Sequence, residues 1–407
     1  MMNIRDARND FSVLATTMHG KPLAFLDTGA SAQKPRRVIN AMNRVLEGGY
    51  SNIHRGLYQI SQNLTLEYET VRAKVAGFVN AASDKEIVFV RNTTEGINLV
   101  AQSFGRTHLK AGDEIIITAM EHHANIVPWQ LLRDQIGVEI KVIPIDDRGV
   151  LDLDAFAGLL SERTKLVAFT HVSNALGTIN PAKEITGKTK AFNPDIKVLI
   201  DGSQGIVHGA VDVRDIGCDF YVFTGHKIYG PTGIGVLYGK YDVLDSMPPY
   251  QGGGDMIERV TFAKTTYKEP PFRFEAGTPA IVETVGLGAA IDYVQTLGMD
   301  NIAAHEAALL EYGTKALQGV EGLTIHGTAP DKVGIFSFTI EGINSGDMGM
   351  VLDQCGVAVR TGHHCCMPLM DLLGVEATAR ASLGLYSNED DIDQLVAGLG
   401  KVKELLA

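Results

Sequence analysis

Short, almost uninterrupted apolar runs alternate with longer amphipathic segments between residues 87 and 200. Such runs are typical of strands buried on both faces, and segments with helical periodicity are typical of the helices that cover them. The alternation therefore predicts an α/β fold with a mostly parallel central sheet and helices on both faces. Strands are predicted at 87–90, 114–118, 139–143, 166–170 and 198–200, and helices at 94–104, 124–136, 153–160 and 182–192.

The two ends of the chain follow other patterns. Before residue 87, we predict a short amphipathic helix and a turn over 1–20, a strand that ends at Asp27, a long polar loop over 48–62, and helices over 35–47 and 64–80. Towards the C-terminus, we predict one long helix over 284–318, strands at 323–325, 333–340 and 357–360, and helices at 347–355 and 390–406.

Chain length limits how these elements can be grouped. The chain has 407 residues, whereas single hydrophobic cores stop growing near ~250–300 residues. We therefore predict a large domain over 21–290 and a smaller α+β domain formed by 1–20 and 291–407. The long helix over 284–318 would connect the two domains.

Composition excludes several classes of protein. A formal net charge of -12 argues against a nucleic-acid partner or an anionic membrane surface. No apolar run approaches the ~20 residues of a spanning helix, and the N-terminus lacks the apolar core of a signal peptide. Four cysteines in a chain of this length do not form a disulfide scaffold. We expect a cytoplasmic protein whose cysteines remain thiols.

Lys227 lies at the mouth of a strand-turn-strand unit, between the apolar run 220–223 and the run 234–238. Lysine is rarely buried without a partner or a function. A lysine that a rigid turn holds in a partly dry site has a lowered pKa and can form a Schiff base with a carbonyl cofactor. The alternative is a lysine in a surface turn.

Polar residues follow several other predicted strands of the same sheet. Each has an ordinary structural alternative: a helix N-cap, a surface histidine, a turn asparagine or a paired carboxylate. The residues are Thr93 and Thr94 at a helix start, His122 after 114–118, Asn174 after 166–170, and Asp201 and Gln204 after 198–200.

Together these residues indicate a single site, because the carboxyl ends of parallel strands meet at one edge of a sheet. A helix start supplies phosphate donors, a histidine can stack on a flat ring, and a carboxylate can keep a pyridine nitrogen protonated. With a lysine for the aldehyde, the set predicts pyridoxal 5'-phosphate as cofactor. No metal site is predicted.

Cys365 lies in a loop with Arg360, His363 and His364 just before it. Nearby cationic groups lower the pKa of a thiol and favour the thiolate nucleophile. Cys365 is therefore predicted to be a nucleophile. The planar fork of Arg380 could bind a substrate carboxylate, and a surface ion pair is the alternative.

The other cysteines fit the usual role of a free cysteine as a small buried hydrophobe. Cys218 and Cys355 lie inside apolar runs. Cys366 is adjacent to Cys365, and adjacent cysteines rarely form a disulfide. We favour packing for Cys366 as well, because a free cysteine is often simply buried.

The chain resembles the class V aminotransferase-fold enzymes, and closely resembles the cysteine desulfurases of the sulfur-mobilisation (SufS) type. The resemblance covers nearly the whole chain and includes LDTGASAQKP, YSNIHRGLY, TTEGINLV, EHHANIVPWQ, THVSNALGT, DGSQ, FTGHKIYGPTGIG, FEAGTP and RTGHHCCMP. It implies the fold type I of pyridoxal-phosphate-dependent transferases. The RTGHHC sequence, in place of a longer cysteine loop, indicates the group II branch. Cys366 departs from the pattern, since this position is often alanine in the branch.

The resemblance also implies a role for each matching residue. Catalysis would rest on Lys227, which holds the cofactor and moves the Cα proton, on Cys365 as sulfur acceptor, and on His122 stacked on the ring. Asp201 would pair with the ring nitrogen, and Gln204 with the phenolic oxygen. Thr93, Thr94, Thr224 and His226 would bind the phosphate, joined by Thr278 of the second subunit of a homodimer. Asn174 would contact both cofactor and substrate. Arg380 and Arg360 would also hold the substrate, with His54 and Arg55 near the site at the dimer contact.

The implied reaction converts L-cysteine to L-alanine and leaves a persulfide on Cys365. A SufE- or SufU-like acceptor protein would then take the sulfur, for iron–sulfur cluster assembly in this family. A selenocysteine lyase or cysteine-sulfinate lyase on the same scaffold stays open, as does a catalytically silent sulfur-handling partner. A plain transaminase is disfavoured, because it has no use for a mobile cysteine.

Overall fold

The computed structural model describes residues 4–406. In chain order the strands are β1 (Thr17–Met18), β2 (Lys21–Pro22), β3 (Ala24–Phe25), β4 (Ile87–Val90), β5 (Glu114–Thr118), β6 (Glu139–Ile143), β7 (Thr164–Thr170), β8 (Lys197–Asp201), β9 (Phe220–Thr224), β10 (Gly235–Gly239), β11 (Ile257–Val260), β12 (Thr265–Tyr267), β13 (Leu323–His326), β14 (Ile335–Ile340), β15 (Val357–Ala358), β16 (Arg360–Gly362) and β17 (Thr378–Ser382).

The α-helices are α1 (Arg36–Gly48), α2 (Gln59–Phe78), α3 (Thr93–Leu99), α4 (Arg106–His108), α5 (Val127–Ile136), α6 (Leu153–Leu159), α7 (Ala182–Phe192), α8 (Gly205–His208), α9 (Val213–Ile216), α10 (Tyr241–Asp245), α11 (Ile281–Leu297), α12 (Met299–Gln318), α13 (Ser345–Gln354), α14 (Met367–Leu373) and α15 (Glu389–Leu406). A π-helical segment, Val100–Gly105, joins α3 to α4, and 3₁₀ turns lie at Ile4–Asp10, Ser12–Ala15, Asp84–Glu86, His123–Asn125 and Phe272–Phe274. No helix within residues 4–406 has the length and apolar character needed to cross a bilayer.

A seven-stranded sheet with the order β4-β10-β9-β8-β7-β5-β6 forms the centre of the fold. Strands β9, β8, β7, β5 and β6 are parallel, whereas β10 is antiparallel to both of its neighbours. Successive residues of one strand belong to different core clusters: Val198 and Ile200 lie in one cluster and Leu199 in the other. Because both faces of the sheet are buried, the predicted α/β fold with a mostly parallel sheet is confirmed.

A second, four-stranded antiparallel sheet follows in the C-terminal part, with the order β13-β14-β17-β16. Helices α12 and α13 pack against it, and α15 packs on both of these helices and on β3 and β15. Their apolar side chains share one cluster with Ala24 and Leu26, because β3 pairs with β15. Ala7, Phe11 and Leu14 instead belong to the cluster beneath the large sheet. The division into two domains near residue 20 stays a prediction.

The prediction of one continuous helix over 284–318 is wrong, because the helix is interrupted. Gly298 has a φ of 87° and separates α11 from α12. A residue with positive φ ends a right-handed helix, and glycine adopts this conformation at no steric cost. α11 packs on α1 and α2, whereas α12 packs on α15 and β13.

The strand predicted at 357–360 is also divided. Val357–Ala358 pairs with β3, and Arg360–Gly362 pairs with β17, so the two halves belong to different sheets. Strand β17 and the hairpin of β11 and β12 were not predicted. The predicted helix over 1–20 is a pair of 3₁₀ turns followed by the hairpin of β1 and β2, with residues 1–3 outside the described part.

Candidate active site

A cavity of about 390 Å³ lies where β5, β7, β8 and β9 end. Twelve of the fifteen residues to which the sequence assigned a site role line it: Thr93, Thr94, His122, Asn174, Asp201, Gln204, Thr224, His226, Lys227, Arg360, Cys365 and Arg380. The large sheet supplies the first nine, and the small sheet with its loop supplies the last three. The cavity therefore joins a lysine, a thiol and two guanidinium groups in one space.

One group of lining residues offers hydrogen-bond donors. Asn92 caps α3, since its side chain accepts from the Glu95 N–H at 2.9 Å. The first N–H groups of a helix have no intrahelical partner, so those of Thr93 and Thr94 are available to an anion. The Thr93 hydroxyl is already engaged with Ser203, at 2.8 Å.

Two further polar atoms of this group are buried without a partner. The Thr224 hydroxyl and the Nδ1 atom of His226 make no hydrogen bond within residues 4–406. Burial, together with the nearby Lys227, lowers the pKa of His226 to about 4, so its ring is neutral near pH 7. An unpaired buried polar atom is costly, and an anion bound between these residues would remove that cost.

Asp201 ends β8 and is only 4% exposed. One of its carboxylate oxygens accepts from the Ser203 N–H at 2.9 Å. Gln204 uses one amide N–H on the Gly29 carbonyl, at 2.8 Å, and keeps a second for the cavity. The two side chains therefore offer the cavity a carboxylate and an amide donor.

His122 precedes a buried polar network. Its Nδ1 atom accepts from the Ala124 N–H at 3.0 Å, which orients the ring. Burial, with a contribution from Lys227, lowers the pKa of His122 to about 4. The neighbouring Glu121 accepts from the Asn125 side chain at 2.7 Å and from the Thr170 N–H at 2.9 Å. This network anchors the turn that carries His122.

Lys227 follows β9 in the turn that leads to β10, as predicted. Burial lowers the pKa of Lys227 to about 8, while the Asp201 carboxylate opposes this shift. A sizeable fraction of this amine is therefore neutral near pH 7.5, and a neutral amine can attack an aldehyde. The predicted lowering of the lysine pKa is confirmed in direction.

Arg360 and Arg380 come from neighbouring strands, where they are directly paired across β16 and β17. Both guanidinium groups bind Asp27: Arg360 at 3.0 and 3.1 Å, and Arg380 at 3.3 Å. Arg380 is 2% exposed and also donates to the Asn174 carbonyl at 2.8 Å. It is not the surface ion pair considered as the alternative.

Cys365 is exposed in a constrained loop. His364 and Cys365 have φ values of 52° and 56°, a conformation that costs free energy for residues other than glycine. Two contacts with His123 hold the loop: its N–H donates to the Cys365 carbonyl at 2.7 Å, and its ring accepts from the Met367 N–H at 3.1 Å. The loop therefore presents the Cys365 thiol to the cavity.

The expected cationic surroundings of Cys365 are only partly present. His364 is buried, and burial together with Arg380 lowers its pKa to about 3. Its ring is neutral near pH 7 and binds the Thr378 hydroxyl at 2.8 Å. Arg360, in the adjacent β16, keeps its positive charge, because its hydrogen bond with the Asp27 carboxylate raises its pKa. The sequence pattern did not distinguish a buried histidine from a charged one.

Cys366 is fully buried, as the packing hypothesis expects. Burial raises the pKa of its thiol to about 12, so it is protonated at neutral pH. A protonated and buried thiol is a poor nucleophile. Cys218 is likewise buried, with a pKa that burial raises to about 12.

Three predicted residues do not line this cavity in the single chain. Thr278 lines a separate pocket with Glu275. His54 binds Glu69 at 2.9 Å, and Arg55 pairs with Asp255 at 3.2 Å. Their assigned roles require a second subunit and stay predictions.

Sequence reasoning missed several residues of the site. Asp27 appeared only as the end of a strand, although a carboxylate at a strand end needs a cationic or hydrogen-bonding partner. Asn92 could have been assigned as a helix cap from the Asn-Thr-Thr sequence. Glu121 was not assigned a role, although its partner Asn125 lies only four residues further on. Ser203 gave no signal, because its partner Thr93 is 110 residues away.

Comparisons with known proteins agree with this geometry. The chain belongs to the aminotransferase class-V family, which matches residues 24–395. Among curated relatives, a cysteine desulfurase of Serratia proteamaculans is 52% identical over 404 residues, which is 99% of each chain. The crystal structure of the cysteine desulfurase CsdA from Escherichia coli, in an S-sulfonic acid form, is 36% identical with a TM-score of 0.93 and covers 100% of both chains. The apo structure of a cysteine desulfurase from Thermococcus onnurineus NA1 is 35% identical with a TM-score of 0.94, covering 100% of this chain and 99% of that one.

The residues of the cavity fit pyridoxal 5'-phosphate, the cofactor of this family. The unpaired Thr224 hydroxyl and His226 ring, with the free N–H groups at the start of α3, suit its phosphate. Asp201 suits a protonated ring nitrogen, His122 suits the ring face, and the amine of Lys227 suits the aldehyde. The resemblance to cysteine desulfurases and the predicted cofactor are thus confirmed.

Proposed function

We propose that this chain converts L-cysteine to L-alanine and transfers the sulfur to Cys365 as a persulfide. One observation carries the proposal: Lys227 and Cys365 line the same cavity. The amine has a pKa of about 8, and the thiol lies in an exposed loop. An enzyme that only exchanges amino groups needs the lysine but has no use for the thiol.

The two arginines would bind the substrate carboxylate. Arg380 is buried and fixed by Asp27 and the Asn174 carbonyl, so it provides a rigid fork. The side chain of Arg360 is about half exposed and lies closer to solvent. A carboxylate held here would direct the Cα hydrogen of the amino acid towards Lys227 and its Cβ–S bond towards Cys365.

The cofactor, when bound, withdraws electrons from the Cα atom of the substrate. Lys227 is the base that removes the Cα proton, because burial keeps a fraction of its amine neutral. The carboxylate of Asp201 would stabilise a positive charge on the ring nitrogen of the cofactor. His122 is neutral over the working pH range, so it covers the ring without repelling that charge.

Sulfur transfer follows from the position of the thiol. The Cys365 thiolate attacks the substrate sulfur, the Cβ–S bond breaks, and its electron pair stays on carbon. Protonation of that carbon gives the methyl group of alanine, and Cys365 keeps the sulfur as a persulfide. The thiol and L-cysteine together balance the persulfide and L-alanine, so no external oxidant or reductant is needed.

The persulfide would pass to a SufE- or SufU-like acceptor protein, for iron–sulfur cluster assembly. Cys365 is exposed, and Met367 and Leu372 beside it are 51% and 63% exposed, which suits a protein partner. A homodimer would bring Thr278, His54 and Arg55 of one subunit towards the cavity of the other. The four free thiols suit the reducing cytoplasm.

The test is a turnover assay on the purified holoenzyme with L-cysteine, alone and with each acceptor protein. We expect one alanine per sulfur transferred and a higher rate with the correct acceptor. Turnover of selenocysteine and of cysteine sulfinate, measured in parallel with that of L-cysteine, separates the lyase alternatives. The Cys365→Ala variant should lose turnover of cysteine, and full activity in that variant would refute the proposal.

A further inference from the structure

The thiol of Cys366 lies against a side chain of the active site. Its Sγ atom is 3.3 Å from Oδ1 of Asn174 and 3.5 Å from the His364 carbonyl. Cys366 is fully buried, and Asn174 is 7% exposed and lines the cavity. The contact therefore connects a residue outside the reaction space to one inside it.

The hydrogen bonds fix which way the Asn174 amide faces. A backbone carbonyl can only accept, so the atom that faces the His364 carbonyl at 2.8 Å must be the amide nitrogen. The amide oxygen then faces Cys366, whose thiol is a donor because it stays protonated. The His364 carbonyl already accepts from this amide, so the thiol hydrogen is best directed at Oδ1.

We propose that Cys366 is a positioning residue that holds the Asn174 amide in the orientation needed for the cofactor and substrate. With its oxygen bound to Cys366 and one N–H bound to His364, the amide can direct its second N–H into the cavity. This inference rests on the proposed function, because Asn174 matters only if an acceptor atom occupies that cavity. It gives Cys366 a role other than storing sulfur.

The contact predicts different effects for different side chains at position 366. Alanine removes the donor and leaves the amide oxygen without a partner, so the amide can turn. Serine keeps a donor at nearly the same place, although its shorter Cβ–O bond lengthens the contact. The active site should therefore be less well ordered with alanine at position 366 than with cysteine. With serine, it should be ordered nearly as well as with cysteine.

The experiment compares wild type, Cys366→Ala and Cys366→Ser as holoenzymes. The measured quantities are KM and kcat for L-cysteine, the dissociation constant of pyridoxal phosphate from its absorbance, and Tm of the apo- and holoproteins. In Cys366→Ala we expect KM, the cofactor dissociation constant or both to rise about fivefold, the usual effect of one lost hydrogen bond. In Cys366→Ser we expect recovery to within about twofold of wild type.

A double-mutant cycle separates this role from packing. Cys366→Ala introduced into Asn174→Ala should cause no further change in KM or cofactor affinity, because its effect acts through that amide. If Cys366 only fills space, both variants lower Tm in the apo- and holoproteins, serine is no better than alanine, and KM and cofactor affinity stay at the wild-type values. That result would overturn the proposal.

Failure of the proposed function gives a different outcome. A wild-type protein that does not turn over L-cysteine would refute the desulfurase activity, whereas the cofactor dissociation constants would still test Cys366. An equal loss of cofactor affinity in the alanine and serine variants would refute the donor role, even in an active enzyme. The two hypotheses therefore do not share a single readout.

Discussion

Arg360 donates to both carboxylate oxygens of Asp27, from Nε at 3.1 Å and from Nη2 at 3.0 Å. The same carboxylate accepts from Arg380 at 3.3 Å. Two arginines paired across neighbouring strands would repel each other, and Asp27 offsets that repulsion. One carboxylate for two guanidinium groups leaves one positive charge, which matches the single carboxylate of an amino acid.

Asp27→Asn should therefore destabilise the protein. The substitution keeps an oxygen acceptor but removes the charge that compensates the buried Arg380, so we expect the free energy of unfolding to fall by about 1–3 kcal/mol. Urea denaturation of the apoprotein measures the loss. Asp147→Asn, at an exposed site, is the matched control and should change stability little. Equal effects of the two substitutions would contradict this account of Asp27.

The phosphate site can be tested by comparing two buried threonines, of which only one lines the cavity. The hydroxyls of Thr224 and Thr186 are both buried without a hydrogen-bond partner within the described residues, but Thr186 lies in α7 outside the cavity. Valine at either position removes an unpaired polar atom, so Tm of the apoprotein should not fall. Thr224→Val should weaken pyridoxal phosphate binding at least about tenfold, since it removes a bond to a charged group.

Absorbance titration of both apoproteins with pyridoxal phosphate gives the two dissociation constants. Thr186→Val serves as the control and should bind the cofactor as wild type does. If the two variants bind it equally well, the Thr224 hydroxyl does not face the phosphate.

Treatment with L-cysteine should place a persulfide on Cys365 and not on Cys366. The thiol of Cys366 is fully buried and has a pKa of about 12, so it cannot compete as a nucleophile at neutral pH. Mass spectrometry of peptides after treatment with L-cysteine should find the added sulfur, about 32 Da, at residue 365. Cys355→Ala is the control and should keep the adduct. An adduct on Cys366 in the wild-type protein would contradict the assignment.

Much of the fold and site could be predicted from local sequence pattern. The strands of the large sheet are continuous apolar runs, and chemistry at their carboxyl ends converges because parallel strands end at one edge. Asp201 and Lys227 could therefore be assigned to one site from the sequence alone. The antiparallel β17 was missed, since its sequence TARAS lacks a run of large apolar residues.

What could not be predicted depends on contacts between distant parts of the chain. Asp27 is 333 residues from Arg360 and 353 residues from Arg380, so no local pattern connects them. Gly298 lies in an apolar helical pattern, where sequence alone does not reveal a positive φ. The charge of His364 depends on its burial and on the nearby Arg380 and Arg360, and the local sequence shows neither its burial nor its distance from Arg380.

Lys227 should react as an amine with a pKa of about 8. Burial is the main cause, because it disfavours the charged form, and the Asp201 carboxylate limits the shift. An ordinary lysine has a pKa near 10.4, so its reactivity rises until about that pH. For Lys227 in the apoprotein we expect reactivity to rise about tenfold per pH unit below pH 8 and then to become constant.

Competitive labelling with acetic anhydride, followed by mass spectrometry, measures this profile from pH 6 upward. Exposed Lys315 in the same sample is the internal reference. Asp201→Asn removes the charge that raises the Lys227 pKa, so its plateau should begin at a lower pH than in wild type. Labelling of Lys227 that kept increasing to about pH 10 would contradict a buried, partly neutral amine. Burial would then not explain how Lys227 can accept a proton near pH 7.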